Sequence, residues 1–505
     1  MDELTKLSNA ALDKLRLEHP RYDRTALTPG IVHIGVGNFH RAHQAWYLHR
    51  LMQEGAAQDW AIIGAGVRPF DAKMREKLLA QDYLTTLIQL DPAETSAEVI
   101  GSMVDYLPIE DDNGALIAAM AEPSIRIVSL TVTESGYYLE PTTMGFDAAH
   151  PDMVYDAANP RAPRTAFGAM VEALRRRRAA GRGPFTGLSC DNLQGNGNVL
   201  KQTVTNLARL SDPELADWIA ENMTFPNSMV DCIAPATGPK EHALVRQFGI
   251  DDAAPVSHEA HRQWVIEEKF CAGRPEWERV GVTFSDDVHA YETMKIRILN
   301  AGHQVLANIG EVLGLETISE CMAHRGIAAM FRKVQAEEIT QTVAPVPEYK
   351  PLDYLDLIEA RFGNPLIVDT VRRVAFDGSA RHPGFVLPIL HDQLVEGRSV
   401  SGLALVEALW ARMCEGTRED GSTIEANDPH WEALQDAAKK AKAHPQVWLE
   451  QKAVYGALAK SEPFAKAFHD WLELIWAKGA VAVVEDYVST TSRRDRPLLQ
   501  AEGRR

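Results

Sequence analysis

The sequence predicts an α/β domain followed by a mostly α-helical one, and three observations carry that prediction. An apolar run ends in Gly35-Val36-Gly37 and passes straight into a helical pattern. Further apolar, β-branched runs at 59–66, 124–133, 185–192 and 229–235 each end in polar or glycine-rich sequence. After Ser285-Asp-Asp, strand-like runs almost vanish and helical periodicity takes over. Strands alternating with helices argue for a parallel sheet. The boundary is therefore expected near 286, with domains of 1–285 and 286–505.

Bulk properties narrow the function classes. A chain of 505 residues can bury more than one core. A formal charge of −18 argues against nucleic acid or an anionic membrane as a general partner. The chain has no run of about 18 apolar residues and no basic-then-apolar leader, so a cytoplasmic location is expected. Cysteines stand at 190, 232, 271, 321 and 414 with no Cys-x-x-Cys, which reads as free thiols in a reducing compartment.

Taken in order, residues 1–28 form a polar arm. At Gly35-Val36-Gly37-Asn38-Phe39 the glycines suit a backbone that approaches a dinucleotide pyrophosphate, so these five are candidate cofactor-binding residues. His40 stands where the usual fingerprint has its third glycine, which leaves an ordinary tight turn as the alternative. The run 59–66 reads as the second parallel strand, with Asp71 just beyond it. An acid there accepts hydrogen bonds from the adenosine ribose and favours NAD, whereas Arg68 would instead attract the extra phosphate of NADP. Asp71 as a helix N-cap is compatible with either.

Tyr83–Leu90 and Glu98–Tyr106 alternate apolar and polar residues, which predicts an antiparallel hairpin at the sheet edge. The strands at 124–133, 185–192 and 229–235 should join the parallel sheet. Ligands bind beyond the carboxyl ends of such strands, which makes Glu134 a further cofactor candidate. The arginines at 175–178 end a helix, where cations suit its dipole. The polar end from 489 to 505 is expected to fray.

Tyr291–His303 reads as one helix. At about 100° per residue with Lys295 at zero, Glu292 falls near 60°, His303 near 80° and Asn300 near 140°. One part-apolar face thus carries a carboxylate, an amine, an amide and an imidazole. A lysine in a poorly solvated site becomes a usable base. On spacing alone, Lys295 paired with Glu292 on a surface, with His303 a core histidine, fits as well.

The motif Lys295-x4-Asn300-x2-His303 resembles the signature of the polyol-specific long-chain dehydrogenases, which include mannitol 2-dehydrogenase and its uronate-reducing relatives. The Gly35–His43 turn, Thr133–Tyr137, Ser189–Asn192 and Gln263-Trp-Val-Ile-Glu agree, and the resemblance runs from about 29 to about 485. It implies a Rossmann-like dinucleotide-binding domain, NAD as cofactor and no metal. It further implies Lys295 as general base, Asn192 and Asn300 around the substrate oxygen, His303 orienting the carbon chain and Glu292 relaying the proton. Asp231, Arg373 and Arg381 match substrate-pocket positions. The family usually has arginine at 232, lysine at 381 and, in many members, serine at 302, whereas this chain has Cys232, Arg381 and Gly302. The expected reaction is D-mannitol to D-fructose, with arabinitol, sorbitol or the mannonate/fructuronate pair as alternatives. A zinc site at His40 and His43 has too few ligands. A non-catalytic NAD-binding protein would not need Lys295, Asn300, His303 and Asn192 together.

Overall fold

The computed structural model describes residues 4–140, 143 and 145–490. The expected frayed end falls mostly outside them. Pro29–Ile34 is buried along nearly its whole length, as a strand covered on both faces must be. It pairs in parallel with Ala61–Ala65 on one side and Ile127–Leu130 on the other. Met103–Tyr106 and Thr186–Ser189 extend the two edges, also in parallel, completing a five-stranded sheet. The chain therefore moves outward from Pro29–Ile34 in one direction and then returns to build the other side. That reversal opens a crevice at the carboxyl ends of the two central strands, the usual ligand position in such sheets.

Both faces are covered. Val32, Ile34, Val128 and Leu130 pack with the helix Ala166–Ala179 in one core, and Ile31, Ile62 and Ile127 pack with the helix Gln44–Gln53 in the other. Each such fully buried aliphatic side chain contributes roughly 1.5–3 kcal/mol.

Two strand expectations are corrected. Thr85–Leu90 and Ser96–Ile100 do form an antiparallel hairpin, but it joins Val256–Glu259 in a separate three-stranded sheet. The expected second arm breaks at Gly101, whose carbonyl accepts from Arg24 Nε at 2.9 Å, and Met103–Tyr106 goes instead to the main sheet. Ser228–Asp231 does not extend the parallel sheet either. It runs antiparallel to Gln263–Ile266, which in turn pairs with Thr283–Phe284.

Packing divides the chain into Met1–Tyr291 and Glu292–Arg505, whereas the sequence reading puts the boundary at 285/286. The second unit is built of helices around Ala301–Leu313, whose residues from Ala301 to Val312 are all buried. Val371–Ala375 and Ser401–Cys414 pack against it. Inside this core His382 Nδ1 lies 2.7 Å from Glu407 Oε1, and Tyr455 donates to Glu407 Oε2 at 2.7 Å. Among the described residues, no helix is long and apolar enough to cross a membrane.

The expectation of one regular helix over 291–303 is also corrected. An α-helix, Val288–Met294, gives way to a π turn, Lys295–Asn300, before Ala301–Leu313 resumes the α spacing. The Ala301 amide reaches back to the Ile296 carbonyl, five residues instead of four. Two more π turns, Gln335–Ile339 and His382–Val386, pack against this one.

Glu338, in the second π turn, is buried, and its carboxyl accepts from the Gly402 and Leu403 amides at 2.7 and 2.8 Å. Burial pushes its pKa up to about 7, despite those bonds. In the fold the group thus holds its proton at pH values where the unfolded chain has lost it, so its contribution to stability falls as pH rises from about 4.5 through about 7. Thermal melts of wild type and Glu338→Gln between pH 5 and 8 should show a shallower decline in the variant. Equal slopes would remove Glu338 as the source.

Candidate functional site

In the first unit the cofactor turn leaves the end of Pro29–Ile34. Gly35 has φ +98°, and a Cβ there would lie 2.1 Å from the Thr131 carbonyl oxygen, so only glycine fits. At Gly37 a Cβ would meet nothing within 4 Å, which leaves the backbone open to close approach by a pyrophosphate. Asn38 donates to the Pro235 carbonyl at 2.6 Å and to Thr237 Oγ1 at 3.0 Å. Buried Arg41 locks the same turn by donating to the Gly37 carbonyl at 3.2 Å and to Asn38 Oδ1 at 2.8 Å. Phe39 stacks on His43 with ring centres 4.8 Å apart.

His40, in the third-glycine position, lies flat on His33 of the first strand at 3.5 Å. Burial lowers the pKa of both rings, so the stack is neutral. His43 Nε2 lies 3.0 Å from the Gln263 carbonyl. Among the described residues, no group of three or more His, Cys, Asp or Glu is placed to hold a metal ion.

Asp71 opens the helix Asp71–Leu79, and its Oδ2 accepts from the Val67 and Arg68 amides, both at 3.0 Å. It is not the N-cap weighed above: Phe70 holds that position without a side-chain bond, and Asp71 reaches back to amides of the preceding loop instead of forward into the helix. Both of these bonds fall on Oδ2. Arg68 is turned to Tyr138, donating to its hydroxyl at 3.1 Å. Glu134 is exposed at the start of the 3₁₀ turn Glu134–Tyr137. Ahead of it Thr133 has φ +67°, a strained position for a β-branched residue. Asp191 pins that strain, accepting from the Val132 and Thr133 amides at 3.1 and 2.8 Å and from the Tyr137 hydroxyl at 2.7 Å. Burial raises the Asp191 carboxyl to about 6, against these bonds. Asn192 follows it on the surface. Asp231, buried at the end of its strand, has His261 Nε2 3.6 Å away, and Cys232 beside it is buried too.

In the second unit, Glu292, Lys295 and His303 are 6, 8 and 8% exposed, and Asn300 is half-buried. A π turn takes nearly one residue more per turn than an α-helix, advancing by about 80° per residue. Five such steps carry Asn300 to roughly 40° from Lys295, and three α steps then carry His303 to roughly −20°. With Glu292 near 60°, all four share an arc of roughly 80°, where an unbroken α-helix spreads them over roughly 140°.

His303 is held by two residues that sequence reasoning missed. Its ring stacks on Phe362 at 4.3 Å, and its Nε2 lies 3.3 Å from Asp369 Oδ2, near enough for attraction though not aligned as a hydrogen bond. Burial keeps the imidazole below its ordinary pKa, with Asp369 pulling the other way. Arg373 donates to Asp369 Oδ1 through Nε at 2.9 Å and Nη2 at 2.6 Å. Burial alone would raise Asp369, but His303 and Arg373 outweigh it and the carboxyl sits below its usual range. Arg381 is half-buried at the end of Gly378–Arg381, where the third π turn begins.

The family description "Mannitol dehydrogenase Rossmann domain" matches residues 29–279, and "Mannitol dehydrogenase C-terminal domain" matches 287–476. The chain belongs to the mannitol dehydrogenase family. The family is one of oxidoreductases, and this chain is one of them. It is 55% identical to the mannitol 2-dehydrogenase of Cereibacter sphaeroides over 93% of this chain and 98% of that one. It is 40% identical to that of Phaeosphaeria nodorum, over 95 and 85%. Among solved structures, the Pseudomonas fluorescens mannitol 2-dehydrogenase in ternary complex with NAD and D-mannitol matches at TM-score 0.84 and 39% identity, over 96% of this chain and 100% of that one. A D-sorbitol dehydrogenase in substrate-free form matches at TM-score 0.88 and 34% identity, over 95 and 100%.

Of the sequence-derived residues, Glu292, Lys295, Asn300 and His303 come to one arc, and Arg373 joins them through Asp369. Gly35–Phe39, Asp71 and Glu134 gather at strand ends of the first unit, where Asn192 and Asp231 also lie. Asp369 was visible as an acid four residues before Arg373, a spacing that suits an ion pair on one helical turn. Phe362 carries no local signal, and Asp191 stands inside the matching Ser189–Asn192 stretch without a role of its own read there. Replacing Gly35 by alanine should destabilise the protein by at least about 2 kcal/mol, because neither the φ nor the Thr131 carbonyl can accommodate a Cβ. Urea unfolding measures it, and a loss under about 0.5 kcal/mol would show that the turn relaxes freely.

Proposed function

We propose that this protein is an NAD-dependent polyol dehydrogenase that interconverts D-mannitol and D-fructose, with Lys295 as general base. The observation that carries the reading is the full-length likeness to a mannitol 2-dehydrogenase solved with NAD and D-mannitol, joined to a buried lysine whose helix face also carries Asn300 and His303. NAD, when bound, accepts hydride from the substrate carbon. Gly35, Val36, Gly37, Asn38 and Phe39 would hold its pyrophosphate, Asp71 its adenosine ribose, and Glu134 lies at the neighbouring strand end.

Lys295 Nζ, neutral, takes the proton from the reacting hydroxyl, and Asn192 and Asn300 donate to the oxygen as its negative charge grows. The Asp369 carboxylate favours the His303 tautomer with its proton on Nε2, which leaves Nδ1 to accept from a substrate hydroxyl. Glu292, one turn before Lys295, passes the proton onward. Asp231, Arg373 and Arg381 serve the rest of the carbon chain.

Two observations favour a neutral polyol over a sugar acid. Asp369 already compensates the charge of Arg373 through two hydrogen bonds. Position 232 is a cysteine, so no cation stands there for a carboxylate. Sorbitol is the second reading, favoured by the likeness to a D-sorbitol dehydrogenase.

Lys295→Ala should lower kcat for mannitol oxidation by roughly a thousand-fold or more, at or beyond the usual general-base range. In wild type, activity should fall as pH drops and Lys295 gains a proton, and Lys295→Met should lack that limb. His303, held below its ordinary pKa of 6.5, cannot supply a limb above that value. Near-normal turnover of Lys295→Ala would sink the assignment.

A panel of mannitol, sorbitol, arabinitol and mannonate with NAD and NADP tests cofactor and substrate together. kcat/KM should favour NAD by at least about tenfold, or about 1.4 kcal/mol, because the Asp71 carboxylate repels a ribose phosphate. Mannitol should exceed mannonate by more than about a hundred-fold, or about 2.7 kcal/mol, since a site built for hydroxyls must desolvate the acid. Faster turnover of mannonate would move the protein to the uronate branch, and preference for NADP would shift the ribose contact to Arg68.

A further inference from the structure

The π turn that brings Asn300 round to Lys295 needs something to hold it. Its last bond runs from the Ala301 amide to the Ile296 carbonyl. Where the spacing then returns from five residues to four, the Arg297 carbonyl is passed over, and the Ile298 carbonyl is the first on the resumed spacing. A side-chain amide meets that stretch from another helix. Gln335 is fully buried, and its Nε2 donates to the Ile298 carbonyl at 2.8 Å.

Three features show that the contact is built in. Gln335 itself opens the second π turn, whose closing bond runs from the Thr340 amide to the Gln335 carbonyl. A Cβ at Gly302 would lie 2.5 Å from Gln335 Nε2 and 3.2 Å from the Phe331 ring, so only the bare glycine lets the amide pass. Gln335 Oε1 is buried without a hydrogen-bond partner. A methionine of the same length would fill the space without leaving that acceptor unsatisfied. The glutamine is therefore worth keeping for its donor.

We propose that Gln335 is a positioning residue for Lys295 and Asn300, holding the π turn through the Ile298 carbonyl so that amine and amide share one face. This rests on the reading of Lys295 as base. Without the donor the turn lapses toward α spacing, which rotates Asn300 away from Lys295 by roughly 100°. Gly302 is the permissive half of the device.

The test compares full-length wild type with Gln335→Met, Gly302→Ala, the double variant and Lys295→Ala, using the best polyol of the panel. Gln335→Met should lower kcat more than fivefold and displace the acid limb of its pH profile, while KM for NAD stays within twofold. Gly302→Ala should lower kcat in the same direction by displacing the amide. The double variant should be no worse than Gln335→Met alone. A kcat loss of fivefold or less in Gln335→Met, or losses that multiply in the double variant, overturns the inference. If Gln335→Met does not fold, Gly302→Ala decides: a loss above twofold with unchanged KM for NAD upholds it, and a smaller one overturns it. Lys295→Ala separates the two readings. If that variant is active, the base assignment fails. If it is inactive while Gln335→Met turns over normally, only the role of Gln335 fails.

Discussion

The π turn Lys295–Asn300, closed by a hydrogen bond from the Ala301 amide to the Ile296 carbonyl, sets the phase of the helix that follows it. It adds part of a residue to one turn and so changes the phase of everything after it relative to Lys295. The neighbouring side chains are organised around the widened turn. Arg297 points out of it to donate to the Thr342 carbonyl at 3.0 Å and to meet Asp392 at 2.6 Å. Farther along the same helix Asn308 Nδ2 lies 3.1 Å from His382 Nε2, in the third π turn. An isolated π turn is unfavourable, and π turns cluster where function needs an irregular register. The other two π turns pack against Lys295–Asn300, and Gln335 of the second donates to the Ile298 carbonyl of the first.

The first unit was legible because parallel strands are buried on both faces. Pro29–Ile34, Ala61–Ala65, Ile127–Leu130 and Thr186–Ser189 read as apolar runs, each followed by a turn signal. Pairing was harder to read. Met103–Tyr106 alternates as well as any hairpin arm, and it parts from Ser96–Ile100 at Gly101, where Arg24 bonds the Gly101 and Met103 carbonyls. The run at 229–235 is apolar enough for the main sheet, but no local property states which strand it will meet or in which direction. The helical phase over 295–300 failed for another reason: a wheel drawn at one angle assumes one hydrogen-bond spacing, and a side-chain donor 37 residues away helps to change it.

The chemistry-bearing residues were legible as a motif, while their supports were not. Lys295, Asn300 and His303 stand close together in sequence. Asp369, Phe362 and Gln335 reach the same helix from other elements, and Asp191 reaches the 131–134 turn from the next strand of the sheet. A residue that orients another acts through space, and its spacing along the chain carries no period. Such supports are as necessary to a preorganised site as the groups they hold.

Charge follows the same division. Burial alone would strip the proton from His303 and return one to Asp369, leaving two neutral groups side by side. Asp369 escapes because the His303 ring and the Arg373 guanidinium both favour its charged form, and together they outweigh its desolvation. His303 does not, because one carboxylate shared with Arg373 is too little, and Arg373 and Arg361 repel a second positive charge there. The three groups thus settle as a neutral ring beside a compensated ion pair. On the proposed reading, a set without net charge offers an anion nothing, and His303 Nδ1 is the atom that would accept from a substrate hydroxyl. Those are the properties that a site for a neutral, many-hydroxyl substrate requires.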